Sequence, residues 1–159
     1  MSFKIIDNFL SQEDFTTIKN TIINCSFPLY YSQSVADDVD NKHFYFIHQF
    51  YDKNFPISDF VHILKPIIDK IDCKSLMRAK VNCFPRTENL IIYGEHCDYE
   101  FPHKGVILYL NDCNGGTYVG KEFIQSKENR ALMFDSSQFH SSTNCTDQKC
   151  RFNININYF

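Results

Sequence analysis

Arg151-Phe152-Asn153-Ile154-Asn155-Ile156-Asn157-Tyr158-Phe159 alternates without a break. Side chains in a strand repeat every two residues, so Phe152, Ile154, Ile156 and Tyr158 share one face. Arg151, Asn153, Asn155 and Asn157 share the other, which is oddly polar for a strand so rich in isoleucine. A face turned to solvent would account for this. So would a face turned into a polar lumen, and the sequence leaves both open.

The same character extends upstream. Residues 78–84, 90–93, 105–110, 117–119, 131–134 and 152–158 are short runs rich in Val, Ile, Tyr and Phe, punctuated by Gly, Asn, Asp and Pro. Such spacing predicts an antiparallel sandwich or barrel. Asn114-Gly115-Gly116 reads as a hairpin turn between two of the strands. Before residue 76 the pattern is helical. Ser11 stands as an N-cap ahead of Asp14, and Phe15, Ile18, Ile22 and Ile23 recur at helical spacing, which predicts a helix over 12–24. Ser58 caps a second helix carrying Phe60, Val61, Leu64, Ile67, Ile68 and Ile71, which Pro66 should kink or limit. Residues 28–42, acidic at Asp37, Asp38 and Asp40, read as a long surface loop, of a length linked to a lid or to disorder. The expected organisation is one domain over 1–159, with helical support and a lid loop in 1–75 and a β core in 76–159.

A net charge of -3 argues against a general electrostatic grip on nucleic acid. No apolar run approaches a membrane span, and Met1 to Asp7 breaks into charge too soon for a signal peptide. Seven cysteines at scattered spacings read as reduced thiols in a cytosolic compartment. They contain no CxxC pair, which speaks against a structural zinc site.

His96-Cys97-Asp98 would, on a strand, project its His and Asp together and turn Cys97 away. His140 follows the apolar run 131–134 and a polar turn. Two nitrogens and one carboxylate are the set that holds non-haem Fe(II) on one face and leaves the other open. Arg151, eleven residues past His140, could clamp a small dicarboxylate beside that metal. Asn153 lies on the same strand face as an additional donor. His43, His48, His62 and His103 have no partner at ligand spacing.

With these residues in view, 78–159 resembles the 2-oxoglutarate- and Fe(II)-dependent oxygenases, in their prolyl 4-hydroxylase-like branch. The resemblance implies a mainly β protein with N-terminal helices and a double-stranded β-helix (jelly roll) core. It implies iron held by His96, Asp98 and His140, and Arg151 paired with the C5 carboxylate of 2-oxoglutarate. Tyr109, in Ile107-Leu108-Tyr109-Leu110-Asn111, would bond the same cosubstrate, and Gly115-Gly116-Thr117 matches the turn that follows. Arg151 in place of Lys points toward hypoxia-type and bacterial or viral members, and the short Asn- and Ile-rich chain resembles phage or other viral ones. Phe84 stands where relatives often carry a cosubstrate-binding Tyr.

The implied activity is a dioxygenase that uses O2, decarboxylates 2-oxoglutarate to succinate and hydroxylates a C–H bond, with ascorbate as a candidate auxiliary reductant. A peptide or protein proline is the leading substrate and a small molecule the other, in the cytoplasm (the host cytoplasm for a viral member). Two rivals remain. A nucleic-acid demethylase of the alkylation-repair type would carry a second Arg where this chain has Asn157. A non-catalytic jelly-roll binding module would have lost a ligand or Arg151.

Overall fold

The structure, a computed structural model, describes residues 2–35 and 42–159, so Asp37, Asp38 and Asp40 lie outside the described residues. Two β-sheets face each other. The strands are β1 (Phe3–Ile6), β2 (Tyr30–Ser32), β3 (Tyr45–Asp52), β4 (Phe55–Pro56), β5 (Leu76–Pro85), β6 (Lys104–Tyr109), β7 (Gly116–Val119), β8 (Glu122–Gln125), β9 (Arg130–Asp135), β10 (His140–Ser142) and β11 (Cys150–Tyr158). The larger sheet runs β1-β9-β6-β11-β5-β3-β2, with β4 paired to β3, and the smaller runs β10-β7-β8. All the ladders are antiparallel, as the short alternating runs predict.

β11 lies between β5 and β6 in the larger sheet, so both of its edges are paired. Ile154, Ile156 and Tyr158 pack outward on Ala79 and Val81 of β5, Val106 and Leu108 of β6, and the helices. Those helices are α1 (Gln12–Ile22) and α2 (Lys65–Lys70). Ser11 Oγ accepts the Asp14 amide to start α1, which buries Phe15, Ile18 and Ile22 against the sheet. Each such side chain stabilises the fold by about 1.5–3 kcal/mol when fully withdrawn from water. The opposite face of β11 looks toward the smaller sheet. Arg151 and Asn157 there are 0% exposed, which settles the ambiguity of the asparagine face in favour of a lumen.

Several expectations are corrected. The first 75 residues are not only helical. β3 went unseen because a bulge between Gln49 and Tyr51 breaks its alternation. β2 falls in the stretch read as loop, and its Tyr30 and Tyr31 are exposed at the sheet edge and carry no burial pattern. The second helix begins as a 3-10 turn over Asp59–Leu64, and α2 starts at Lys65 with Pro66 in its first turn, where a missing N–H costs nothing.

Residues 90–93 form no strand. The Asn144 side chain takes the Ile91 amide at 2.7 Å, leaving only an isolated bridge from Ile92 to Thr143. Asn114-Gly115-Gly116 is not a hairpin turn either, because β6 and β7 belong to different sheets. Its glycines allow close backbone approach instead. A Cβ on Gly115 would lie 1.8 Å from the Asn144 carbonyl oxygen, and one on Gly116 would lie 2.2 Å from that of Ile124.

No helix among the described residues is long and apolar enough to cross a membrane.

Candidate active site

β5 and β11 build one wall of the lumen in register. Arg78, Asn82 and Phe84 lie opposite Asn157, Asn153 and Arg151, and Lys80 lies opposite Asn155. These residues, the histidines and segments of the smaller sheet surround a cavity of about 340 Å³. Ser32, Ser34, Val35 and Tyr45 lie along its lining on the β2–β3 side.

His96, Asp98 and His140 meet at this cavity, with one potential ligand atom from each within 4.8 Å of the others. They do not meet by the expected route. His96 and Asp98 lie in the loop before β6, not on a strand. His96 forms an isolated antiparallel bridge with His140, His96 N to His140 O at 3.0 Å and His140 N to His96 O at 2.9 Å. Asp98 is set by its own amide, which donates to Ser136 O at 3.0 Å. Without strand parity Cys97 is not turned away, and it lines the same cavity.

Each imidazole is oriented by a carbonyl two residues back. His140 Nδ1 lies 2.9 Å from Gln138 O, and His96 Nδ1 lies 3.3 Å from Gly94 O. Donation from Nδ1–H leaves Nε2 with its lone pair free for a metal. Burial pulls the His140 pKa below the ordinary histidine value and Asp98 only partly restores it, which favours the neutral, ligating form.

Asp98 is the most heavily supported group in the site. Its Oδ1 accepts from Arg78 Nη2 at 2.5 Å. Its Oδ2 accepts from Asn157 Nδ2 at 2.8 Å, Ser136 Oγ at 3.0 Å and Asn155 Nδ2 at 3.4 Å. Burial alone would raise its pKa, but the Arg78 charge, then His140 and the Asn157 amide, outweigh burial and hold the carboxyl well below the usual range. Arg78 was not singled out in the sequence. The signal was present: Arg78, Lys80 and Asn82 alternate with Ala79, Val81 and Cys83, the same polar–apolar phase as β11.

Arg151 is fully buried one layer beneath the cavity surface. Its Nε donates to Thr143 O at 2.8 Å and its Nη2 to Ser142 Oγ, while its guanidinium stacks 4.6 Å from the Phe84 ring centroid. Nη1 has no hydrogen-bond partner among the described residues. Ser142 and Phe84 both line the cavity, so the guanidinium sits directly behind its wall.

Asn153 lines the cavity and accepts from Asn82 Nδ2 at 2.9 Å. Tyr109 lies deeper, 0% exposed and 6.0 Å (ring centroid) from the Arg151 guanidinium, donating to Ile124 O at 3.4 Å. Burial pushes its pKa up to about 12, so it remains a phenol and a donor. Phe84 stacks between Tyr45 and Tyr93 at 5.3 and 5.6 Å. Of the unassigned histidines, His48 is structural, bonded to Pro28 O and Ser58 Oγ at 2.7 Å each. His103 lies behind the triad, 3.2 Å from Asn157 Nδ2.

No protein-family model matches this sequence, and no curated protein does. Solved structures do match. A prolyl hydroxylase from Trichoplax adhaerens, in complex with a hypoxia inducible factor oxygen degradation domain peptide, superposes with a TM-score of 0.71 at 19% identity, over 99% of this chain and 83% of that one. A 2OG-Fe(II) oxygenase family oxidoreductase from Burkholderia pseudomallei gives 0.69 at 11% identity, over 98% and 84%. The non-heme alpha ketoglutarate dependent epimerase SnoN from nogalamycin biosynthesis gives 0.68 at 11% identity, over 99% and 77%. The chain therefore has the fold of the 2-oxoglutarate–Fe(II) oxygenases, a jelly-roll core with N-terminal helices.

Proposed function

We propose that this chain is an Fe(II)- and 2-oxoglutarate-dependent dioxygenase of the prolyl 4-hydroxylase-like kind, converting 2-oxoglutarate to succinate while hydroxylating a C–H bond of a peptide or protein. The observation that carries this reading is the buried Arg151 guanidinium, whose Nη1 has no partner among the described residues. A buried cation without an anion is costly, and no acidic side chain among the described residues reaches it. A carboxylate entering between Ser142 and Phe84 would relieve that cost through two parallel N–H···O bonds. Asn82 Oδ1 and Asn155 Oδ1 also lack partners while lining the same cavity.

The donor set fits the metal. Two neutral imidazoles and one ionised carboxylate gathered on one side are the facial arrangement that suits non-haem Fe(II). Bound iron and 2-oxoglutarate would supply the activation of O2 and the oxidative decarboxylation. The protein's part is placement. His96 and His140 are fixed by their shared bridge, and Asp98 is oriented by Arg78, Ser136 and Asn157. Arg151 and Asn153 would orient the cosubstrate, with Tyr109 holding the Arg151 side of the site.

A peptide substrate is favoured by the likeness to a hydroxylase bound to a peptide and by the cavity's lining along the β2–β3 edge. A small-molecule substrate is the second reading, prompted by the likeness to the epimerase, at a TM-score of 0.68. The demethylase reading is disfavoured because Asn157 is committed to Asp98 and Arg78. All seven cysteines are free, in keeping with a reducing cytoplasm.

The deciding experiment is succinate release from 2-oxoglutarate with Fe(II), screened against peptides and metabolites. Wild-type protein is expected to turn over, and His96→Ala and Asp98→Ala to lose metal binding and turnover. Unchanged turnover in either variant overturns the assignment.

A further inference from the structure

A second group of ligating side chains lies outside the cavity lining. Cys113 follows β6, and Cys145 and Asp147 lie between β10 and β11. One ligand atom from each falls within 4.8 Å of the other two. Cys113 and Cys145 are buried, at 3% and 0% exposure, and Asp147 is exposed. The two segments are held together without any ion. Asn114 N donates to both Asp147 oxygens at 3.0 Å, Asn114 Nδ2 donates to Thr146 Oγ1 at 2.7 Å, and Thr146 N donates back to Asn114 Oδ1 at 3.0 Å. The contact of Gly115 with the Asn144 carbonyl brings the same two segments to van der Waals range.

We propose that Cys113 Sγ, Cys145 Sγ and the Asp147 carboxylate bind a zinc ion, with a water molecule as the fourth ligand. Zinc takes thiolate sulfur at about 2.3 Å and carboxylate oxygen at about 2.0–2.2 Å, which puts two sulfurs about 3.8 Å apart in a tetrahedron. Side-chain rotation of about 1 Å reaches that from the present spread, with the backbone already clamped. Two soft sulfur donors favour zinc over magnesium or calcium, and they separate this site from the nitrogen–oxygen triad. Asp147 at the surface gives the ion its way in and leaves room for the water. Both thiols lose their protons to solvent as zinc binds, and nothing is oxidised or reduced. The lack of a CxxC pair concealed this cluster in the sequence, because its two thiols come from loops far apart in the chain.

Cobalt(II) is the probe, added to the reduced full-length chain without 2-oxoglutarate. Thiolate ligation gives a near-ultraviolet sulfur-to-cobalt charge-transfer band that a histidine–carboxylate site does not give. Wild-type protein should show the band and lose it on addition of zinc. Cys97→Ser, next to the triad ligands, should keep it, and Cys113→Ser and Cys145→Ser should abolish it. Asp147→Asn keeps an oxygen for the Asn114 amide and should bind zinc at least tenfold more weakly, which decides the matter if the serine variants fail to fold. Absence of the band in wild type, its persistence in Cys145→Ser, its loss in Cys97→Ser or unchanged zinc affinity in Asp147→Asn overturns the proposal. None of these readouts depends on oxygenase activity.

Discussion

The Arg78 guanidinium donates to Asp98 Oδ1 at 2.5 Å, tying the middle of the larger sheet to the carboxylate of the triad. Arg78 also donates from Nε to Asn157 Oδ1 at 3.1 Å, and Asn157 in turn donates to Asp98 Oδ2. The three side chains form a closed ring that fixes the carboxylate plane. Partners of this kind commonly account for 10–100-fold in metal affinity. Arg78→Ala is therefore expected to weaken Mn(II) or Fe(II) binding by about tenfold or more, and Arg78→Lys to recover only part of it. Calorimetric titration with Mn(II) checks this; equal affinities would show that Asp98 is positioned without Arg78.

Arg151→Lys keeps the charge and removes the planar fork. Its expected signature is a 2-oxoglutarate requirement raised by about tenfold or more, with turnover at saturation much less affected. Succinate formation across a 2-oxoglutarate series measures it. An unaltered requirement would take Arg151 out of the cosubstrate site.

Gly115 and Gly94 make a matched pair. At Gly115 an added methyl would collide with fixed backbone 1.8 Å away, whereas at Gly94 nothing lies within 4 Å. Gly115→Ala should cost at least about 1–3 kcal/mol, and Gly94→Ala should be within about 0.5 kcal/mol of wild type. Denaturant unfolding distinguishes them.

His48 links pH to stability. Burial lowers its pKa, with the Pro28 carbonyl only partly opposing, so the folded chain holds it neutral. Its Nδ1 faces the Pro28 carbonyl, and its Nε2 faces Ser58 Oγ, which also accepts the Phe60 amide. A lowered folded pKa means the unfolded chain takes up a proton first. The contribution is complete above about pH 6.5 and is lost as pH falls through the folded value. His140 adds to the same trend. The Tm of the metal-free protein should fall between about pH 7 and pH 5, and His48→Gln should flatten that slope. An unchanged slope would contradict the assignment.

What could be read in the sequence follows from which signals are local. The alternation of Arg151 to Tyr158 survives in the fold because β11 is central and regular, with one face on the helices and one on the lumen. His96, Asp98 and His140 were legible as ligand types, although the parity argument that joined them was wrong: a backbone bridge between two distant segments does that work. β3 was hidden by its bulge, whereas Arg78 could have been found from the polar–apolar alternation it shares with Lys80 and Asn82. Cys113, Cys145 and Asp147 become a cluster only when the sheets close and bring their two loops together.

The bridge between His96 and His140 has one further consequence. Reciprocal backbone hydrogen bonds hold the two histidine main chains at a fixed spacing, and the Nδ1 contacts with Gln138 O and Gly94 O restrain rotation of the rings. Asp98 is tied down separately, through its amide and through side-chain bonds from Arg78, Asn157, Ser136 and Asn155. A change of ion radius would have to be met by strain in that side-chain network against a fixed histidine backbone. Metal preference at the proposed site would then depend on the stiffness of the side-chain network around one carboxylate.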